Sequence, residues 1–350
     1  FILFLSIFYM TIFLIAEVTA VSILVKYISG TNLWITAFIV ISASLIYTLY
    51  GGLRASIFTD NIQFIVFGIL LLICFNFFLT SFNNEFNFGY IKLKKPELLS
   101  LNYLPNFTAG LTFFIAVAAT NLFHQGNWQR IYAAKDNRVL KYSLISSFVI
   151  IIPIVFLMGF IGLIAVSKNS NVISDLAFFS LLLNENTLMM SFIILLLAIS
   201  LTISSIDTLI NAISSLIIVD GNKLTNIKVD YLNLSKKIII FISLVSFFVA
   251  SKGLSILYLF LLADLFCCAA VLTVFYCFYD KSIKEKNAYI SIIIGLLVGI
   301  ILFPSPDFSK SILIGILIPT HYVPSFMSNS LLFMSFLTAT FFPILTWKIK

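Results

Sequence analysis

The sequence predicts an all-α, polytopic membrane protein with about ten transmembrane helices. Of its 350 residues, 61% are hydrophobic and only 10% are charged. The mean hydropathy of +1.11 is far above that of soluble globular proteins. Apolar runs long enough to cross a hydrocarbon layer of ~30 Å recur along the whole chain. Because the short apolar–polar alternation of an outer-membrane barrel is absent, these runs are predicted to be helices in a lipid bilayer.

Ten predicted spans are separated by polar or glycine-containing segments. They cover residues 2–25, 33–50, 57–82, 107–123, 142–167, 187–219, 235–250, 254–279, 287–303 and 329–347. Gly51 and Gly52 are predicted to end the second span, since each glycine costs a helix about 1 kcal/mol. Asp60 would then lie in the first turn of the third span, where the helix dipole favours an anion. The fourth span runs directly into the polar segment 124–130, which predicts a broken helix beside a cavity.

The basic residues predict the orientation of these spans. If the connecting segments alternate between two sides, fourteen of the 21 Lys and Arg residues lie on one side and seven on the other. The positive-inside rule places the richer side, with both visible termini, in the cytoplasm. We therefore expect an integral protein of the plasma (inner) membrane. The net charge of +7 is explained by these loops and does not indicate a nucleic acid partner.

One predicted helix carries a polar face through an otherwise apolar run, residues 198–220. The face repeats at spacings of four and three and comprises Ser200, Ser204, Asp207, Asn211 and Ser214. A carboxylate at bilayer depth costs at least ~2.5 kcal/mol, so Asp207 is predicted to line a cavity or an ion path. Helix packing is the alternative interpretation of the hydroxyls, because Ser and Thr often bond neighbouring membrane helices. Glu17 and Asp264 are two further acids placed deep in spans.

The motif content favours a transporter over an enzyme. The sequence has no HExxH, no GxSxG, no phosphate-binding glycine loop and no Cys/His cluster. Ser204, Ser205, Asp207 and Thr208 instead offer hard oxygen ligands within about one helical turn. Such ligands suit an alkali cation.

Three segments, in order along the chain, resemble the sodium/solute symporter family. YTLYGGLRASIFTDNIQF, residues 47–64, resembles the family signature in which a Gly-Gly turn precedes Thr-Asp and Gln. NWQRIYAAKD, residues 127–136, is similar to its Gln-Arg-x-x-Ala-Ala-Lys segment. ISSIDTLINAISSLIIVD, residues 203–220, resembles its sodium-site helix. The resemblance extends across most of the chain.

This resemblance implies the leucine-transporter-type fold, with two inverted repeats of five helices and binding sites near the bilayer midplane. Residues 1–350 would form a single transporter domain. Within it, 1–82 would be the last three helices of the first repeat, 107–279 the second repeat, and 280–350 additional C-terminal helices. Since the chain begins at Phe1 without an initiator Met, we expect an N-terminally truncated fragment that lacks the first two helices.

The family implies a secondary active transporter that couples Na⁺ to symport of a small organic solute by alternating access. The main sodium site would use the carbonyl of Leu201 and the hydroxyls of Ser204 and Ser205. A second sodium site, found in some members, would use Asp60, Ser205, Asp207 and Thr208. His124 and Asn127, on the predicted broken helix, would contact the solute.

Some alternatives stay open on the sequence alone. Many members have Ser where this chain has Asp207, and two carboxylates around one monovalent ion favour protonation of one of them, so proton coupling is an alternative. The fold also occurs as the membrane-sensing domain of signalling proteins, and a passive channel would need no ion gradient. Known substrates of the family include sugars, proline, urea, sialic acid, iodide and carboxylates, and the sequence ranks none of them. It predicts no oligomeric state.

Overall fold

The structure is a computed structural model that describes most of the chain. The described residues are 1–85, 88–100, 102–168, 173–183, 188–224, 230–280, 283–308, 310–311, 313, 318 and 330–347. Within these ranges the chain is helical and forms no β-strand, apart from an isolated bridge between Pro304 and Ser311.

Thirteen α-helices lie in the described part of the chain. They are α1 Ile2–Ser29, α2 Leu33–Glu85, α3 Phe88–Lys94, α4 Leu104–Phe123, α5 Gln125–Tyr132, α6 Asn137–Lys168, α7 Ala177–Leu183, α8 Leu188–Ser215, α9 Gly221–Leu224, α10 Tyr231–Ala250, α11 Ile256–Tyr279, α12 Glu285–Leu302 and α13 Leu331–Trp347. Eight of the described helical segments are long and apolar enough to cross a membrane, and Leu33–Ile46 and Leu331–Thr346 are shorter apolar segments. These ten segments correspond to the ten predicted spans, so the predicted fold class is confirmed.

The predicted break at the glycine pair is wrong. Gly51 and Gly52 lie inside α2, which runs without interruption from Leu33 to Glu85. Asp60 therefore lies in a helix interior and not in a first turn. A glycine weakens a helix but keeps its backbone N–H donor, so a penalty of about 1 kcal/mol per residue does not by itself end the hydrogen-bond ladder.

The predicted broken helix is present. α4 ends at Phe123, His124 has extended backbone angles (φ −75°, ψ 97°), and α5 begins at Gln125. A second irregularity follows α8, where Leu216–Asp220 form a π-helical turn before α9. Such turns are frequent at functional sites, because they shift the side chains that follow around the helix axis.

The chain divides into two compact units. Unit 1 comprises Phe1–Phe13, Leu101–His124 and Leu257–Lys350. In it, α12 and α13 pack closely, because Gly299 accepts a hydrogen bond from Ser335 at 2.7 Å and a Cβ at Gly295 would lie 2.5 Å from the Pro343 ring. Close approach of backbones at small residues is typical of membrane helix pairs.

Unit 2 comprises Leu14–Ser100 and Gln125–Ile256. Its apolar core includes Ile194 and Leu197 of α8 and Ile164 of α6. Further along α8, Ile206, Leu209 and other apolar residues are buried, and the polar face meets α2 and α5. The division into repeats stays a prediction.

Candidate ion-binding site

Asp60, in the middle of α2, is the centre of a polar cluster in unit 2. Ser204 of α8 donates its hydroxyl to Asp60 Oδ1 at 2.6 Å. Arg130 of α5 donates from Nη2 to Asp60 Oδ2 at 2.6 Å and to Thr208 Oγ1 at 2.8 Å. Thr208 in turn donates to the Ser204 carbonyl at 2.9 Å. We call these four residues the Asp60 cluster.

The α8 members of this cluster share a face because they are four residues apart. Arg130 brings a fixed positive charge to it, and the ion pair with Asp60 measures 2.6 Å. The side chains of Arg130 and Asp60 are 37% and 22% exposed, so neither is fully enclosed by the described residues. Arg130 therefore neutralises the charge of Asp60, and its guanidinium bonds one carboxylate oxygen and one hydroxyl oxygen.

Ser205 is turned away from this cluster. Adjacent residues on a helix point about 100° apart, and the Ser205 hydroxyl interacts with the carboxylate of Glu17 on α1. Leu201 lies one turn before Ser204 and Ser205, and its side chain is exposed. The structure thus gives Ser204 and Ser205 different carboxylate partners, whereas the sequence resemblance assigned both hydroxyls to one sodium ion.

Asp207 forms a separate polar contact on the buried side of α8. The residue is 2% exposed, and its Oδ1 accepts from Thr48 Oγ1 and from Asn211 Nδ2, each at 2.9 Å. Its Oδ2 has no hydrogen-bond partner among the described residues. The hydroxyl of Ser56 lies beside this carboxylate. Among the predicted ligands of the second sodium site, Asp60 and Thr208 are therefore together, and Asp207 and Ser205 have other partners.

A cavity of about 560 Å³ lies along α5 and the end of α8. Its lining includes Gln125, Gln129, Asn211 and Ser214. Gln129 donates to the Asn211 carbonyl at 3.4 Å, and its neighbour in sequence is Arg130. The lining also includes the apolar residues Ile218 and Val219, so the space about one helical turn beyond the Asp60 cluster has both polar and apolar walls.

The two predicted solute contacts fall in different units. His124 belongs to unit 1, where its ring centroid is 6.3 Å from that of Tyr9 and 6.5 Å from that of Phe13. Asn127 is a half-buried residue of α5 in unit 2. Their roles stay predictions.

Sequence reasoning missed two contributors to the polar contacts of unit 2. On the sequence alone, Arg130 is one of the fourteen basic residues that predict the orientation. Its position in the Gln-Arg segment is the signal that indicates a more specific role. Thr48 lies 159 residues from Asp207 along the chain, and no local pattern relates a hydroxyl in one span to a carboxylate that far away.

Comparison with known proteins decides the family. The model of the sodium:solute symporter family matches residues 2–295. The chain belongs to the sodium:solute symporter family. The predicted recognition is thereby confirmed, and the family consists of transporters.

Two similar proteins refine this result. The chain is 27% identical over 273 residues to the spermidine transporter DUR31 of Candida albicans, an alignment that covers 76% of this chain and 50% of that protein. It therefore spans about half the length of this curated relative. It also resembles the solved structure of a Na⁺-coupled sialic acid symporter in a substrate-bound outward-open state, with a TM-score of 0.58, 18% identity, and coverage of 98% of this chain and 74% of that one. This likeness confirms the leucine-transporter-type fold.

Proposed function

We propose that the full-length protein is a secondary active transporter that couples sodium entry to the symport of a small organic solute by alternating access. The observation that carries the proposal is the Asp60 cluster, in a chain that belongs to a family of sodium:solute symporters. The Asp60 carboxylate and the Thr208 hydroxyl lie at bonding distance from the Arg130 cation, and the Ser204 hydroxyl bonds the other oxygen of the same carboxylate. Carboxylate and hydroxyl oxygens are hard ligands that suit an alkali cation.

Sodium and Arg130 neutralise the same carboxylate in this proposal. Asp60 Oδ2 is bonded to Arg130, whereas Oδ1 is bonded to the Ser204 hydroxyl, which can rotate to present its lone pairs to an ion instead. Sodium binding then releases part of the Arg130 contact.

The orientation is part of the same proposal. By the positive-inside rule, the fourteen basic residues of the richer side favour a cytoplasmic position for the segment 124–141 and for both ends of this chain, an outside position for 83–106, and a plasma (inner) membrane protein. α4 crosses once between Ser100 and Asn137. Cysteines introduced at those two exposed positions should react with a membrane-impermeant reagent in vesicles of opposite orientation. Labelling of both from the same face would contradict the orientation.

Uptake by the full-length protein in proteoliposomes tests the proposed coupling. An inward sodium gradient should drive concentrative uptake, and replacing Na⁺ with choline should abolish it. The solute panel should include a polyamine and sialic acid, because the similar proteins are named for spermidine and sialic acid. Equal uptake with and without any ion gradient would indicate a passive channel. Ligand binding without net transport would favour a membrane-sensing domain.

Proton coupling is a second candidate, favoured by the buried Asp207. A proton on Oδ2 would give this unpartnered oxygen a donor toward the neighbouring Ser56 hydroxyl, which also lacks a partner among the described residues. Among the described residues, the charged groups that act on Asp207 are Asp60 and Arg130. If protons drive uptake, Asp207→Asn should abolish the response to a pH gradient. Asp175→Asn is a matched control, because Asp175 caps the Ile256 amide at the start of α11.

A further inference from the structure

A second buried carboxylate lies in unit 1, on α11. Asp264 is 7% exposed, and Thr120 of α4 donates its hydroxyl to Oδ1 at 2.6 Å. No described Lys or Arg forms an ion pair with it, since the described salt bridge of the chain joins Arg130 and Asp60. A buried carboxylate without a cation is costly unless it is protonated or a ligand supplies the charge.

Tyr9 of α1 is an independent sign that a ligand binds at this carboxylate. Its side chain is fully buried, at 0% exposure, and its hydroxyl has no hydrogen-bond partner among the described residues. The same hydroxyl is close enough to Asp264 and Cys267 to interact with them electrostatically. Burying a hydroxyl without a hydrogen-bond partner is unfavourable. A group that offers several N–H donors would satisfy both the hydroxyl and the carboxylate.

Aromatic rings are grouped around the Tyr9 ring. The Phe13 ring centroid lies 5.6 Å from that of Tyr9, 4.7 Å from that of Phe260 and 6.5 Å from that of His124. All three pairs are edge-on, with the edge of one ring directed toward the face of the other. The face of an aromatic ring attracts an ammonium group, and several rings around one carboxylate are typical of sites for organic cations.

We propose that Asp264 and Tyr9, with Thr120 and the rings of Phe13 and Phe260, bind the ammonium group of a cationic organic solute. The inference rests on the proposed function, since it names the substrate class of a solute symporter. The ammonium would place its charge on Asp264 and give a donor to the Tyr9 hydroxyl. Its alkyl chain would lie along the rings.

The chemistry of the site argues against the other solute classes. An anionic solute would meet an unpaired buried carboxylate without any described cation to offset the repulsion. A neutral solute could accept or donate hydrogen bonds but would leave the charge of Asp264 without compensation. A primary amine, with one positive charge and three donors, matches both groups.

Competition binding to the full-length protein tests the proposal. Radiolabelled putrescine, a linear diamine, is bound in detergent at saturating sodium, and unlabelled primary amines, urea and succinate serve as competitors. We expect the amines to compete at least about 50-fold more strongly than urea or succinate. Neither urea nor succinate brings a positive charge to pair with the buried Asp264 carboxylate. Absence of amine binding, or equal competition by the neutral and anionic compounds, would overturn the proposal without requiring any variant.

Variants then assign the residues. Asp264→Asn should weaken amine binding at least about 50-fold, and Asp264→Glu should recover part of it. Thr120→Val should weaken it about tenfold. The matched control is Thr112→Val on the same helix. The buried Thr112 hydroxyl donates to the Thr108 carbonyl within α4, and the change should leave amine binding unchanged. Unchanged amine affinity in folded Asp264→Asn protein, checked by its thermal unfolding, would overturn the assignment.

Failure of the ammonium site and failure of the proposed sodium coupling give different experimental results. Sodium-driven uptake of a neutral or anionic solute that Asp264→Asn does not affect would refute the ammonium site and keep the symporter. Amine transport that needs Asp264 but shows no dependence on a sodium gradient would keep the ammonium site and refute the proposed coupling. Sodium binding that Asp264→Asn abolishes, without any amine affinity, would make Asp264 an inorganic cation site and refute the proposal.

Discussion

Asp60 and Asp264 are two acids of the same chain with opposite electrostatic surroundings. Asp60 lies in unit 2 and is paired with Arg130 at 2.6 Å, and it is 22% exposed at the side chain. Asp264 lies in unit 1 with a hydroxyl as its bonded partner, and it is 7% exposed. The first carboxylate has its cation supplied by the protein, whereas the second has none among the described residues. A ligand at Asp60 must therefore exchange with a cation, whereas a ligand at Asp264 must bring one.

The largest expected effect is the loss of the carboxylate at Asp60. Asp60→Asn removes the charge that holds both Arg130 and, in the proposed function, sodium. We expect the sodium concentration for half-maximal binding to rise at least about 100-fold, since breaking a close charge pair costs roughly 2–5 kcal/mol. Binding of radioactive sodium to the purified full-length protein measures this. A shift smaller than twofold would place sodium elsewhere.

The next effect is the loss of a single hydroxyl from the Asp60 cluster. Ser204→Ala should raise the half-saturating sodium concentration about tenfold, because a hydrogen bond to a charged group contributes roughly 1.5–3 kcal/mol. Ser214→Ala is the matched control on α8, since its hydroxyl pairs with Ser235 of α10 at 2.9 Å. If both variants changed sodium binding equally, the polar face of α8 would serve helix packing, and Ser204 would lose its assignment as a ligand.

Local features of the chain were predictable from its sequence. The ten apolar segments and the interruption at His124 were predicted, because hydropathy and a polar run are local properties of the chain. The continuous α2 was not predicted, since a Gly-Gly pair lowers helix stability without removing a backbone donor.

Pairings between distant spans were beyond local pattern reasoning. Arg130 and Asp60 are 70 residues apart, and Thr120 and Asp264 are 144 residues apart. Tyr9 was missed because a tyrosine within an apolar run is usual, and its unpartnered hydroxyl is visible only when the helices are packed.

A smaller effect of opposite sign is expected at Arg130. Arg130→Gln removes the internal cation that competes with sodium for Asp60, so the half-saturating sodium concentration should fall about fivefold. That change corresponds to about 1 kcal/mol, the upper end for a partly exposed ion pair. Sodium titration of the variant measures it, with Lys135→Gln as the control for loss of a nearby exposed charge. A rise in the required sodium concentration would show that Arg130 holds the site together and does not compete for it.

The smallest expected effect is the influence of each acid on the other's ligand. The Asp60 cluster and the residues around Asp264 have no described member in common, and changes without shared partners usually act independently to within about 0.3–0.5 kcal/mol. Without solute, Asp264→Asn should therefore change sodium binding by no more than about twofold. At saturating sodium, Arg130→Gln should change putrescine binding by no more than about twofold. Shifts of tenfold or more in both titrations would show that the two carboxylates act as one coupled cation system, because a coupling free energy between two binding sites must appear equally from either side.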